Sequence, residues 1–334
     1  MISRREFITR TVLTGATAAV AGAAPGRAAA EPPPETTRIR IGQVPSVCAS
    51  PQYVAADLLR SEGFADVQYV EVAGGLPLAK ALGVGQIDMT MNFAAPLVMS
   101  LDAGDPIVLL AGVHVGCFEL FGTERIRTIT DLKGKTVAVF GIQSAQHVFL
   151  ASMMTQVGLD PRKDVTWAVH PVSEAKRLLA EGRIDGYLGF PPDPQELRAK
   201  KIGHVVVNSA TDRPWSQYFC CMVSANREFV QKHPVATKRA VRAILKADQI
   251  CALEPERATR AYLGRGFKTS PEYTLQAVKE VPFGRWREYN PEETVRFYSL
   301  RLREAGMIKG NPQQIIAQGT DWRFLNELKK ELKG

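Results

Sequence analysis

The chain has 334 residues, 45% hydrophobic and 23% charged, with a formal net charge of +8. This is an ordinary globular composition with enough apolar residues for a real core, and five cysteines are too few for a disulfide scaffold of this size. The basic excess is spread along the chain with no block of five or more basic residues, which argues against nucleic acid as a partner.

The first thirty residues read as an export signal. Arg4-Arg5 followed by Glu6, Phe7 and Ile8 is the address of twin-arginine export, so the translocase is an expected partner. The weakly apolar stretch Val12 to Ala24 is shorter than a membrane span. Ala28-Ala29-Ala30 then forms a small-residue cleavage site, with no cysteine there to carry a lipid anchor. Removing residues 1–30, which hold four Arg and one Glu, leaves 304 residues and a charge of about +5. No later segment is long and apolar enough to span a bilayer.

Residues 31–37 are Pro-rich and expected to be a disordered leader. From there the elements alternate. Strand patterns at Arg38–Val44, Val67–Val72 and Gly85–Met91 enclose helical patterns around Tyr53–Leu59 and Leu76–Leu82. The same order returns as strands at Lys135–Gly141, Asp164–Val169 and Gly182–Leu188, with helices at His147–Gln156 and Ser173–Ala180. Ile41 to Ala138 and Asp88 to Asp185 are both 97 residues apart, and Gly85-x-Ile-Asp is nearly copied by Gly182-x-Ile-Asp. Two copies of one β-α-β-α-β unit predict two similar α/β lobes with mainly parallel sheets and a ligand cleft between them.

The predicted division puts lobe 1 at 38–121 and 222–334 and lobe 2 at 122–221. Gly116–Gly122 is the expected first crossing and Tyr218–Val223 the expected return, both hinge candidates. Helical patterns at 236–253, 256–263, 271–279, 291–304 and 321–332 are expected to pack around lobe 1.

Loops that open helices offer free backbone N–H groups to a polar ligand. Two occupy matching places. The first contributes Ser46 and Gln52, and the second Gln143, Ser144 and His147. Ser50 and Ser144 serve equally well as plain helix caps. Asn92-Phe93 and Gly189-Phe190 follow matching strands, so Phe93 and Phe190 either clamp a flat ligand or pack against the core. Gly75 permits close backbone approach or simply makes a turn. Glu119 stands in the apolar run Cys117–Phe121, where a carboxylate needs a partner: a ligand amine, amidine or hydroxyl, unless it lies on an exposed face. Trp215 stacks on a ligand or packs the hinge. Cys117 and the Cys220-Cys221 pair lie on the two crossings, where a bridge, a metal or plain buried thiols are open readings. The five histidines show no HExxH or comparable metal spacing, so no cofactor or metal is assigned.

Asp131-Leu-Lys-Gly-Lys-Thr-Val-Ala-Val139, the two Gly-x-Ile-Asp turns and Phe229-x-x-x-His233-Pro234 together resemble periplasmic solute-binding proteins of ATP-driven importers. The resemblance is to the family binding sulfonates, taurine, nitrate and thiamine precursors, and it covers most of residues 38–260. It implies a two-lobed, type II periplasmic-binding-protein fold and a receptor without catalysis. Such a receptor hands a small organic molecule to an ABC transporter permease. A thiamine-precursor-like heterocycle, an aromatic compound and a sulfonate are the ligand classes in view. A periplasmic enzyme related to thiamine-pyrimidine synthesis and a ligand sensor on the same fold are the alternatives. A relative in the family uses a cysteine-rich run for the pyrimidine chemistry, whereas the cysteines here are scattered. No nucleophile elbow, phosphate loop or dinucleotide fingerprint is present.

Overall fold

The computed structural model describes residues 31–332. The expected export segment and its cleavage site lie outside these residues. The strands run in chain order β1 (Arg38–Gln43), β2 (Asp66–Glu71), β3 (Met89–Phe93), β4 (Ile107–Val115), β5 (Glu119–Gly122), β6 (Lys135–Val139), β7 (Val165–Val169), β8 (Gly186–Gly189), β9 (His204–Asn208) and β10 (Phe219–Asn226). They make two five-stranded sheets of matching design, ordered β2-β1-β3-β10-β4 and β7-β6-β8-β5-β9. In each sheet the strand just past a crossing, β10 or β5, runs antiparallel to both neighbours. The expected two-lobed α/β fold is therefore present, with one reversed strand in each mainly parallel sheet.

The repeated Gly-x-Ile-Asp has a structural cause. The Asp88 N–H donates to the Arg40 carbonyl at 2.8 Å, and its carboxylate accepts the Arg40 N–H at 2.7 Å. Asp185 does the same to Thr136, at 2.8 and 3.1 Å. Each Asp thus ties the entry of the third strand of its unit to the first.

The predicted lobe boundaries, 121/122 and 221/222, fall inside β5 and β10. The chain changes sheet at 116–118 and again at 209–218. Short strands that begin directly after a crossing have no turn signal to mark them. β4 is also absent from the sequence reading, because every residue in it is buried and no period-two alternation survives. The leader differs as well. The Glu35 carboxylate accepts the N–H groups of Val235 and Ala236, both at 2.9 Å, at the start of α8 (Pro234–Leu253). Burial acts in the opposite sense, but these two bonds hold the Glu35 carboxyl below its usual range. Residues around Glu35 are therefore docked rather than free.

The helices that shape the cleft are α1 (Ser50–Ser61), α2 (Leu76–Gly83), α3 (Ala94–Asp102), α4 (Ala145–Gln156), α5 (Val172–Ala180) and α6 (Asp193–Ala199). The short α7 (Arg227–Lys232) leads into α8, followed by α9 (Pro255–Leu263), α10 (Pro271–Glu280), α11 (Pro291–Glu304), α12 (Pro312–Gly319) and α13 (Arg323–Glu331). The tail does not keep to the first lobe. α8 packs on α1, but α11 packs on both α3 and α4, and α10 touches α6. Among the described residues no helix is long and apolar enough to cross a membrane.

Candidate functional site

A cavity of about 410 Å³ lies at the carboxyl ends of the parallel strands of both sheets, where ligands bind in open α/β sheets. Its wall comes from the carboxyl end of β3, from the segments following β1 and β2 and those following β6, β7 and β8, and from Phe118 and Cys221. Six residues singled out in the sequence line it: Ser46, Gly75, Asn92, Phe93, Ser144 and Phe190.

The two lobes meet across this cavity. Gly75, with φ of 84°, is the N-cap of α2. A Cβ there would stand 2.9 Å from the Ala145 backbone nitrogen in the first turn of α4. Two helix N-termini are thus held face to face, and only a glycine allows that approach. Asn92 fixes Gly75 from behind, its Nδ2 donating to the Gly75 carbonyl at 2.9 Å. Ser144 caps α4 by accepting the His147 N–H at 3.3 Å. The Val47 N–H reaches the Pro191 carbonyl at 3.4 Å and closes a second contact between lobes.

The apolar wall is aromatic. Phe93 packs against Phe118 at 5.2 Å between ring centroids, and Phe118 against Phe190 at 6.4 Å. Phe140 joins the lining and is 55% exposed. Phe118 and Phe140 were not singled out in the sequence. Phe140 directly follows β6, inside the strand pattern read at Lys135–Gly141, so no local signal set it apart. Phe118 sits on a crossing, where sequence periodicity is blind.

Glu71 also lines the cavity, and Gln146 is a further residue that was not singled out. It lines the cavity, is 3% exposed, and its Nε2 has no hydrogen-bond partner among the described residues. A buried amide donor without an acceptor is unfavourable by roughly 1–3 kcal/mol. An oxygen of a bound ligand would remove that penalty.

The remaining five expected site residues do not line the cavity. Gln52 is consumed inside the first lobe, donating to the Gly42 carbonyl and accepting the Met91 N–H. Gln143 is exposed, and its N–H donates to His147 Nδ1 at 3.2 Å. His147 is buried against Trp167, and burial pushes its pKa down to about 4. Trp215 packs between Phe149 and Phe297 on the return crossing. Glu119 has found a protein partner: it pairs with Arg198 on α6, which also binds Glu280 of α10. Burial raises the Glu119 pKa while Arg198 opposes the rise. The carboxylate that looked free for a ligand thus fastens β5 to α6 and, through Arg198, to the tail.

All five cysteines are buried free thiols. Four of them gather beside the cavity with His114, and two of these, Cys48 and Cys221, are on its wall. Cys251 stands apart on α8.

The bicarbonate-binding protein CmpA of Synechococcus elongatus is 28% identical over 125 residues, 37% of this chain and 27% of its own length. The 4-amino-5-hydroxymethyl-2-methylpyrimidine phosphate synthase of Saccharomyces cerevisiae is 22% identical over 233 residues, 64% of this chain and 67% of its own. The chain thus spans about a quarter of the bicarbonate-binding relative. Among solved structures, the alkanesulfonate-binding protein SsuA of Xanthomonas axonopodis, bound to MOPS, superposes with a TM-score of 0.67 at 17% identity. It covers 86% of this chain and 99% of SsuA, a likeness of fold. The family model described as NMT1-like matches residues 32–263.

Proposed function

The chain belongs to the NMT1-like family, and from that membership and the cleft we propose that it is a substrate-binding protein of an ABC importer. Its ligand is a compact apolar or aromatic molecule carrying an anionic or hydrogen-bond-accepting head, with an organic sulfonate as the first candidate. The observation that carries this reading is the pairing of an aromatic wall with one unsatisfied buried donor, Gln146 Nε2. The N-termini of α2 and α4 add positive potential at the same place. The polar head belongs there, and the apolar body belongs against Phe93, Phe118, Phe140 and Phe190.

The carboxylate expected to receive a cationic heterocycle, Glu119, is paired with Arg198, and the carboxylate on the lining is the exposed Glu71. Arg4-Arg5 and the following residues read as a twin-arginine address, and on that reading the mature protein is proposed to start near Glu31, to act in the periplasm and to deliver its ligand to a membrane permease.

A thermal-shift screen of the purified protein against alkyl and aryl sulfonates, aromatic carboxylates, nitrate, bicarbonate and pyrimidines tests the reading. Stabilisation by aryl or alkyl sulfonates, lost in Gln146→Ala, is the expected result. Stabilisation by pyrimidines alone overturns the ligand assignment, and catalytic turnover of any hit overturns the receptor assignment.

A further inference from the structure

Four of the five cysteines converge on one point from three separate segments. Cys48 comes from the turn before α1, Cys117 from the first crossing, and Cys220 and Cys221 from the start of β10. His114, near the end of β4, joins them. Cys117 Sγ lies 2.9 Å from Cys220 Sγ, and Cys48 Sγ lies 3.8 Å from Cys221 Sγ. One donor atom each from Cys48, His114 and Cys221 lie within 4.8 Å of one another.

The second sulfur pair is informative. Two thiolates each about 2.3 Å from one tetrahedral ion stand about 3.8 Å apart, which is the spacing found for Cys48 and Cys221. The histidine is set up in the same way. Its Nδ1 faces the carbonyls of Val115 and Gly116 at 3.2 and 3.1 Å, and its Nε2 faces the Cys48 carbonyl at 3.1 Å. A neutral imidazole has one N–H. With that proton on Nδ1, donated to backbone as in most metal-bound histidines, the Nε2 lone pair confronts a carbonyl oxygen. Either a second proton or a cation relieves that clash. The buried Asp248 has a side-chain oxygen, Oδ1, with no hydrogen-bond partner among the described residues.

We propose that Cys48, Cys221 and His114 bind one zinc ion in the wall of the cleft, with Cys117 and Cys220 as neighbouring thiols. Charge selects a divalent ion, and a tetrahedral set of two thiolates and an imidazole selects zinc among them. Zn²⁺ with two thiolates and a neutral imidazole has no net charge, whereas a monovalent ion leaves a buried negative charge. Binding releases the two thiol protons to solvent. Cys48 and Cys221 border the cavity, so the fourth coordination position opens toward the cleft and is available to water or to a ligand's anionic oxygen. An ion seated during folding also gives folded-state export through the twin-arginine route a physical reason.

The test uses the full chain, reduced and stripped with a chelator under anaerobic conditions. Zn²⁺ is titrated against a chromophoric competitor, and Co²⁺ is used as a spectroscopic probe. One equivalent of tight Zn²⁺ and the intense visible bands of thiolate-bound tetrahedral Co²⁺ are expected. Cys48→Ser and Cys221→Ser should each weaken Zn²⁺ by more than about 100-fold, beyond the 10–100-fold typical of an outer-shell change. Cys251→Ser should leave it unchanged. A second measurement needs no variant: bound Zn²⁺ should protect Cys48 and Cys221 from alkylation in peptide mass spectra. Stoichiometric Cu⁺ with no competitive Zn²⁺ binding overturns the choice of ion. Labelling of Cys48 that is rapid and indifferent to Zn²⁺ identifies a reactive thiolate beside an imidazolium instead, and overturns the site. A Cys48–Cys221 disulfide in the isolated protein overturns it equally.

Discussion

The two halves of the molecule repeat one design at an offset of 97 residues, yet corresponding residues are held very differently. Asp88 is 8% exposed and accepts three hydrogen bonds from Arg40, one from backbone and two from the guanidinium. Asp185 accepts one backbone bond from Thr136 and one from Arg125, whose side chain is 67% exposed. Phe93 is 4% exposed and meets Phe118, Phe149 and Tyr298. Its counterpart Phe190 is half-buried and meets Phe118. The first half is locked into the core, whereas the second half leaves its cleft residues with fewer partners. On the proposed receptor reading, the side with fewer fixed contacts is the one that can move without disrupting the other.

The largest expected effect breaks the aromatic pair. Phe93→Ala should lower unfolding free energy by about 3–5 kcal/mol in urea titrations. Phe190→Ala should lower it by less than about 1.5 kcal/mol and weaken ligand binding instead. Equal stability losses would show that both lobes hold the cleft equally.

The aspartates sharpen the same contrast. Asp88→Asn should cost about 2–3 kcal/mol, since it strips the charge from a nearly buried pair. Asp185→Asn should cost about 1 kcal/mol, because its arginine partner is largely in solvent. Denaturant midpoints of the two variants give the comparison directly.

His147 belongs to the second half alone, with Ser50 at the matching position 97 residues earlier. Burial lowers its folded pKa to about 4, below the unfolded value of about 6.5. The folded state therefore resists protonation. Its contribution to stability is complete above pH 6.5 and is lost as pH falls toward 4. About 2 kcal/mol should disappear between pH 7.5 and 5, and His147→Gln should flatten that part of the profile.

The last expected change acts at the contact between halves. Gly75→Ala places a methyl group against the first turn of α4, so it should oppose closure and weaken the best ligand about tenfold. Calorimetry at constant folded fraction checks it. An unchanged affinity would mean that Gly75 serves α2 alone.

Much of the architecture was legible in the primary structure because it rests on local patterns. Strand alternation, helix periodicity and the doubled Gly-x-Ile-Asp each depend on residues close in sequence, and the paired sheets followed from their order. Six of the expected residues line the cavity because they end strands, directly follow them or open helices, positions that open α/β sheets turn toward ligand. Packing across long separations decided the rest. Glu119 met Arg198 79 residues later, and four cysteines up to 173 residues apart met beside His114. Sequence alone determined the repeated units and the loops that point into the cleft. Only the tertiary structure decided which polar side chains were already satisfied, which donor was left for a ligand, and which thiols share one site. A side chain's partner is set by where distant segments cross, and no local periodicity records that.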